Sequence, residues 1–390
     1  LITYWSELRF LLMLAALVPL GYYVFASIAA LRFFRNRDAA KSDYAPPVSI
    51  LKPVRGLDRE AYENFASFCT QDYPEYEILF NVADRNDPAI PVLESLMRNF
   101  PQRSIRLLIG AEQLGISNKV NKLSRMVDEA RYDVLVISDA DIRVTPDYLR
   151  SVVAPFRDPG VGAVTCLYRG IAGETLGSEL EALGNSSDFD PGVLAAWQLG
   201  SVNFTLGATM ATTKERLAEI GGFAEMADHF TDDFELGNRL SARGYRIKFS
   251  RVPVDTVYSE LSLRESFRHQ VRWALTIRHS SPAGHVALIF THGLFWALVG
   301  SFLAGSLPVA AAYLLGYFVL RGTMAWTVGV WGLNDPLLRK RLWLLPVRDA
   351  FGFAVFIRSF LTRRIEWRGV EYYIRGKHLI PVEPLPPGID

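Results

Sequence analysis

Cysteine is scarce, net charge is close to zero, and no group of Cys and His residues has the spacing of a zinc site. The two cysteines, Cys69 and Cys166, lie far apart in apolar surroundings. They suit a reducing compartment and argue against a disulfide framework. A net charge of +1 over 390 residues gives no overall field for nucleic acid, and no such partner is expected. There is no internal repeat and no low-complexity tract. The proline-rich end, Pro381, Pro384, Pro386 and Pro387, reads as a frayed tail.

What is present is hydrophobic sequence, unevenly spread. Residues 10–31 contain no charged side chain and are long enough to cross a bilayer. The run is too long for a signal-peptide core, so a retained anchor is expected. Arg32, Arg35, Arg37 and Lys41 follow it, and only Glu7 and Arg9 precede it. The positive-inside rule then puts the N-terminus outside and the next domain in the cytosol. Residues 286–305 are apolar apart from His292, and residues 307–332 apart from Arg321, with Pro308 near the uncharged link. They read as a transmembrane hairpin that returns to the cytosol at Arg339-Lys340-Arg341. A charge such as Arg321 inside a span is expensive. It either meets a lipid substrate or snorkels to the headgroups, and snorkelling is the reading adopted. Residues 343–361 carry Arg348, Asp349 and Arg358, which points to an interfacial or re-entrant helix. The basic stretch 363–368, with Trp367, suits the headgroup zone.

Between anchor and hairpin the composition is globular. Strands are expected at residues 48–51, 77–82, 105–109 and 133–138, with helices near 59–71, 89–99 and 118–130. That alternation implies an α/β fold with a parallel sheet, whose ligands bind beyond the carboxyl ends of strands. The division expected is an anchor with its basic flank (1–41), a cytosolic domain (42–282), and a membrane hairpin, interfacial helix and tail (283–390).

Asp139-Ala140-Asp141 stands at the tip of the strand 133–138. Two carboxylates there are costly to bury unless a cation lies between them, and a divalent metal carrying a diphosphate is the functional reading. A solvated turn is the plain one. Asp84 ends the strand 77–82. Thr231-Asp232-Asp233 opens a helix expected from residue 234. Its acids either cap that helix or supply a general base. Gly115-Ile116-Ser117-Asn118-Lys119 opens another helix, as a plain cap or as an anion site aided by Lys119. On a helix from Leu263, Arg264, Arg268 and Arg272 share one face. That face either meets anionic lipid or lends Arg272 to a diphosphate. Asp188-Phe189-Asp190 reads as a solvated turn, and residues 203–212 as either a core strand or the lining of an acceptor pocket.

In order, the segments Pro47-Val48-Ser49-Ile50-Leu51-Lys52-Pro53, Asp84 with Asn86-Asp87-Pro88, Gly115 to Asn121, Ser138-Asp139-Ala140-Asp141, Asp232-Asp233-Phe234, Arg272-Trp273 and Trp367-Arg368-Gly369 make the chain resemble the ceramide glucosyltransferase family. The resemblance covers almost the whole chain. It implies an inverting, metal-dependent glycosyltransferase with a GT-A fold, related to cellulose and hyaluronan synthases. By the resemblance, Asp84 holds the nucleoside, and Asp139 and Asp141 engage Mg²⁺ or Mn²⁺ and the diphosphate. Asp233 is the catalytic base. Arg272 and Trp273 close the Q/R-x-x-R-W motif, whose first position is His269 here. A neutral His donates only one ring hydrogen bond, so diphosphate contact at 269 departs from the family pattern. The donor implied is a UDP-sugar, UDP-glucose by analogy, and the acceptor a membrane lipid such as ceramide. Similar bacterial proteins of hopanoid biosynthesis transfer an N-acetylhexosamine to a hopanoid polyol, and the residues quoted do not separate the two. The composition favours a bacterial inner membrane over a Golgi membrane. A processive polysaccharide synthase shares these motifs but usually has more spans. A scaffold whose acids merely cap helices predicts no UDP-sugar binding. Oligomeric state has no signature in the sequence.

Overall fold

The computed structural model describes residues 2–35, 43–229, 231–367, 370–375 and 378–382. Arg37, Lys41, Arg368, Gly369, Pro384, Pro386 and Pro387 lie outside them. Contacts divide the chain into two compact units. One comprises Leu1–Arg35, Ala172–Ser201 and Glu260–Ile365, and the other Asn36–Ile171, Val202–Ser259 and Glu366–Asp390. Residues 172–201 and 260–282, read from the sequence as part of the soluble domain, thus belong to the unit that holds the apolar helices.

The second unit is built on a seven-stranded sheet. Its strands are β1 (Val48–Pro53), β2 (Tyr76–Val82), β3 (Ser104–Ile109), β4 (Val134–Ile137), β6 (Val161–Thr165), β8 (Met210–Thr213) and β9 (Arg246–Phe249), in the order β3-β2-β1-β4-β8-β6-β9. β1 runs parallel to β2 and β4, β2 to β3, and β6 to β9, while β8 is antiparallel to β4 and β6. Every residue of β1, β2 and β4 is buried, as expected of parallel strands covered on both faces. The strands and the helices Ala61–Cys69, Ile90–Asn99 and Asn118–Glu129 fall where the hydrophobic pattern put them. Leu51, Leu79, Leu123, Met126, Leu135, Ile137 and Met210 form the core between this sheet and its covering helices. The short strands β5 (Ile142–Arg143), β7 (Tyr168–Ile171) and β10 (Val254–Val257) form a second sheet, β5-β10-β7. A third sheet joins β11 (Arg364–Trp367), β12 (Val370–Arg375) and β13 (His378–Pro381). Pro381 therefore closes a strand rather than starting a frayed tail.

In the other unit, two helices, Tyr4–Phe34 and Leu307–Gly332, are long and apolar enough to cross a membrane. The expected first arm of the hairpin is not straight. Pro282–Thr291 and Gly293–Leu303 meet at a bend of 56°. Gly293 stands at the break, and its missing side chain admits the Tyr23 ring.

Three sequence readings are corrected in this unit. Arg321 does not snorkel, being only 3% exposed. Its Nε and Nη2 donate to Asp349, Nη1 donates to the Ser187 carbonyl at 2.8 Å, and Nη2 also meets Asp188. Asp188-Phe189-Asp190 is not a solvated turn. Residues Asn185–Phe189 form a π-helical turn, Asp190 is buried, and Asp188 also pairs with Arg348 at 2.9 Å. Two of the three charges in the helix Leu345–Leu361, Arg348 and Asp349, point into protein, so they are not the headgroup-facing charges on which the interfacial or re-entrant reading was based. The physical reason is the same in each case. A charge that looks expensive alone is held by an opposite charge far away in sequence.

Candidate active site

The site begins at the end of β4. The Ser138 amide donates to the Leu51 carbonyl of β1 at 3.1 Å, and the Ile142 amide donates back to the Asp139 carbonyl at 3.3 Å, which turns the chain through Asp139-Ala140-Asp141. The Asp141 carbonyl accepts from the Val257 amide of β10 at 3.0 Å, tying the turn to the second sheet. Below it lies Lys52, fully buried in β1. Its Nζ donates to the Asp139 carbonyl at 2.7 Å and sits 3.8 Å from the centre of the Phe68 ring. Burial pulls the Lys52 ammonium down to about 7, although Asp141 and Asp139 act the other way.

Lys119, in the first turn of the helix Asn118–Glu129, bridges two acids. Its Nζ is 2.8 Å from Asp139 Oδ1 and 2.9 Å from Asp232 Oδ2. Burial opposes its charge, but Asp139 and Asp232 outweigh burial and hold the ammonium above its ordinary range. Ser117 caps the same helix by accepting from the Val120 amide, so cap and lysine coexist there.

Asp232 and Asp233 open the helix Asp232–Ala242, two residues earlier than expected. Both oxygens of Asp233 are oriented by backbone: Oδ1 accepts from Phe234 N–H at 2.8 Å and Oδ2 from Gly207 N–H at 3.0 Å. Burial first, then neighbouring Asp232, pushes its carboxyl up to about 6. Asp141 is pushed up to about 7 by burial and then by Asp139. Asp84 follows β2, which lies next to β1 and parallel to it, so it shares the carboxyl edge with the β4 turn. It is exposed, and its Oδ1 accepts from Asn86 N–H at 2.7 Å.

Four of the expected residues, Lys119, Asp139, Asp141 and Asp233, thus come together at one edge of the sheet. His269, Arg272 and Trp273 lie on the helix Leu263–Ser280 of the other unit. There the His269 ring packs 5.1 Å from that of Trp273, and its Nδ1 pairs with the buried carboxylate of Glu181.

Among the described residues, no group of three or more His, Cys, Asp or Glu side chains is drawn close enough to hold a metal ion. The donor set still fits a hard divalent cation. Such ions commonly take one or two protein carboxylates and complete their shell with substrate phosphates. Asp139 lies close enough to Asp141 to raise the cost of ionising it, which is the situation a cation relieves.

Lys52 and Glu181 were not anticipated, and Gly207 was covered only as part of the stretch 203–212, read as a core strand or an acceptor-pocket lining. A lysine inside an otherwise apolar strand was a usable signal for the first. The other two depend on contacts 26 and 88 residues away in sequence, and carry no local signature.

The profile of glycosyl transferase family 21 matches residues 11–380. Ceramide glucosyltransferase 3 of Caenorhabditis elegans is 27% identical over 364 residues, covering 89% of this chain and 77% of that protein. Ceramide glucosyltransferase 1 of the same organism is 24% identical over 337 residues, covering 84% and 71%. A ceramide glucosyltransferase of Komagataella phaffii is 34% identical over a shorter stretch of 139 residues, 34% of this chain and 27% of that protein. Among solved structures, a mannosyltransferase from Pyrobaculum calidifontis in complex with GDP-Man and Mn²⁺ aligns with a TM-score of 0.52 and 19% identity, covering 90% of this chain and 99% of that one. The fold is of the GT-A type.

Proposed function

We propose, given that this chain belongs to glycosyl transferase family 21, that it transfers a single hexose from a UDP-sugar, UDP-glucose first among them, to the hydroxyl of a membrane lipid such as ceramide. The observation that carries the reading is the Lys119 bridge between Asp139 and Asp232, beside an Asp233 carboxylate oriented by two backbone amides. A site with surplus acid, a bridging cationic side chain and an oriented base suits displacement at a sugar–diphosphate bond. The ceramide glucosyltransferase relatives support the choice of donor and acceptor. The two helices long enough to cross a bilayer support a lipid acceptor, since a soluble one would not need them.

In this reading Asp233 takes the proton from the acceptor hydroxyl as that oxygen attacks the anomeric carbon from the face opposite the leaving UDP. One displacement inverts the centre, so an α-linked donor gives a β-glycoside. Lys119 exchanges part of its contact with Asp139 for the diphosphate and balances the charge that develops there. Asp139 and Asp141 would hold Mg²⁺ or Mn²⁺, which supplies Lewis-acid stabilisation of the departing phosphate. Asp84 takes the nucleoside, and Arg272 and Trp273 serve the diphosphate on the strength of their motif. Lys52 keeps the Asp139 carbonyl in place from below. Exposed Arg339 and Lys340, just after the span Leu307–Gly332, support a cytosolic catalytic domain, in a bacterial inner membrane by composition.

The test is product mass spectrometry after offering several UDP-sugars with ceramide and with total membrane lipid. One hexose added per lipid is expected. A ladder of products sinks single transfer, and no product from any UDP-sugar sinks the assignment.

A further inference from the structure

Gly207 lies in a tight turn just before β8, and this turn is tied down by hydrogen bonds. Leu206 and Thr209 form an isolated β-bridge, and the Thr209 amide donates to the Leu206 carbonyl at 3.0 Å. Thr165 Oγ1, buried in β6, accepts from the Leu206 amide at 2.9 Å and donates to the Thr209 carbonyl at 2.7 Å. The hydroxyls of Tyr148 and Thr209 meet at 3.0 Å, both buried. The Gly207 amide itself is spent on Asp233 Oδ2.

Glycine is usually required where φ is positive. Gly207 is not among the glycines with positive φ, so its backbone is one that alanine adopts without strain. The reason for glycine is therefore space. A Cβ at this position would lie 3.2 Å from Asp139 Oδ2, 3.4 Å from Asp233 Oδ2 and 3.8 Å from Lys119 Nζ. All three nearest atoms are charged side-chain atoms of the candidate site. A carbon there offers two carboxylate oxygens nothing, whereas a hydroxyl donates a hydrogen bond to one of them.

We propose that the space left by the absent side chain of Gly207 is where the acceptor hydroxyl lies as it attacks, which makes Gly207 a specificity-determining residue for the transfer. The inference rests on the glycosyltransferase reading above. It adds that the acceptor oxygen is admitted over the peptide plane of Gly207, with Asp233 as its immediate hydrogen-bond acceptor. Because the turn is held from both sides, a methyl group placed there is accommodated by the surrounding groups and not by the backbone. That methyl group displaces either the incoming hydroxyl or the Asp139 carboxylate. A misplacement of about 1 Å at a reacting centre costs on the order of 10²-fold in rate.

Gly207→Ala and Gly207→Ser in the full-length protein test this, with wild type run alongside. Three quantities are read: lipid glycosylation, slow hydrolysis of the UDP-sugar by water, and UDP binding by calorimetry. The unfolding midpoint in detergent is followed as well. The expected result for alanine is a fall of about 10²-fold in transfer to lipid, with a smaller fall in hydrolysis because water is smaller than a lipid hydroxyl. UDP affinity stays within severalfold and the midpoint is unchanged or raised, as for Gly→Ala at a compatible backbone. Serine loses at least as much transfer as alanine. Wild-type transfer by Gly207→Ala overturns the proposal. Loss of UDP binding together with a lowered midpoint also overturns it, because Gly207 is then a structural residue. Transfer and hydrolysis falling in equal proportion overturn the acceptor assignment. Failure of the wild type to transfer from any UDP-sugar removes the parent reading instead, and is seen before any variant is compared.

Discussion

The two units of this chain each hold a cluster of ionised side chains, built on opposite lines. In the helical unit, Arg321 and Arg348 face Asp188 and Asp349, two positive and two negative groups, and Tyr317 adds a hydrogen bond to Asp349 at 2.8 Å. In the sheet unit, among the described residues, Asp139, Asp141, Asp232 and Asp233 are set against the cations Lys52 and Lys119, and Asp58 adds a further acid beside Lys52 and Asp141. Four carboxylates against two ammonium groups leave an excess of negative charge, and two of those carboxyls are pushed up to about 6 and about 7. A balanced buried cluster has finished its electrostatics and ties helices together. An unbalanced one is a site waiting for a cation, a phosphate-bearing ligand or a proton. The comparison separates structure from chemistry without reference to motif, and it is open to direct attack.

The largest effect expected is that of removing divalent metal. If the surplus of acid is completed by Mg²⁺ or Mn²⁺, EDTA abolishes transfer and either ion restores it, measured as labelled hexose on lipid. Transfer that persists without metal would falsify the role given to Asp139 and Asp141. The balanced cluster in the helical unit should be indifferent to the chelator.

Next comes the proposed base. Asp233→Asn keeps the shape and the acceptor capacity of one oxygen but cannot take a proton. Turnover should drop about 10²–10⁴-fold while UDP affinity, by calorimetry, stays within severalfold. Full turnover by the purified variant returns Asp232 and Asp233 to the simpler role of helix-start acids.

The third break is made on the other side. Arg321→Met leaves Asp349 and part of Asp188 without their partner in a buried setting. Removing one member of a buried pair typically costs about 3–5 kcal/mol. A marked fall in the unfolding midpoint in detergent is expected, and adding Asp349→Leu should recover part of it. If Arg321→Met is as stable as wild type, the balanced cluster is not a structural tie and its charges need another explanation.

How far the sequence carried these two clusters differs for a physical reason. The sheet unit was legible because each buried parallel strand is a continuous apolar run, and because its ligands belong at the strand ends. Asp84, Asp139 and Asp141 were therefore placed by position alone. Lys119 needed only the helix start that follows β3. Within the stretch 203–212, Gly207 could not be singled out, because its meaning is the space between side chains from three separate elements. In the helical unit several buried charged residues were misread. Arg321 was assigned to headgroups, Asp188 to solvent and Arg348 to an interface, each judged within its own window. Their partners lie 133 and 28 residues from Arg321, and a hydropathy window cannot see a charge being cancelled at that separation. The π-helical turn that carries Asp188 gives no periodic signal either. The same blindness hid the grouping of residues 172–201 with the apolar helices.

The smallest effect is also the sharpest probe of the unbalanced cluster. Asp233 is held up to about 6 by burial and then by Asp232, with Lys119 acting the other way. A general base works ionised, so kcat/KM should fall as pH drops through about 6. The neighbours then give opposite signs. Asp232→Asn removes a negative charge beside Asp233, makes its ionisation easier and moves this limb to lower pH. Lys119→Met removes the positive charge, makes ionisation harder and moves the limb to higher pH. General damage to the site lowers rates in both variants but does not move the limb in opposite directions. If neither variant shifts it, the titrating group is not Asp233, and the excess of acid at this edge of the sheet has no bearing on proton transfer.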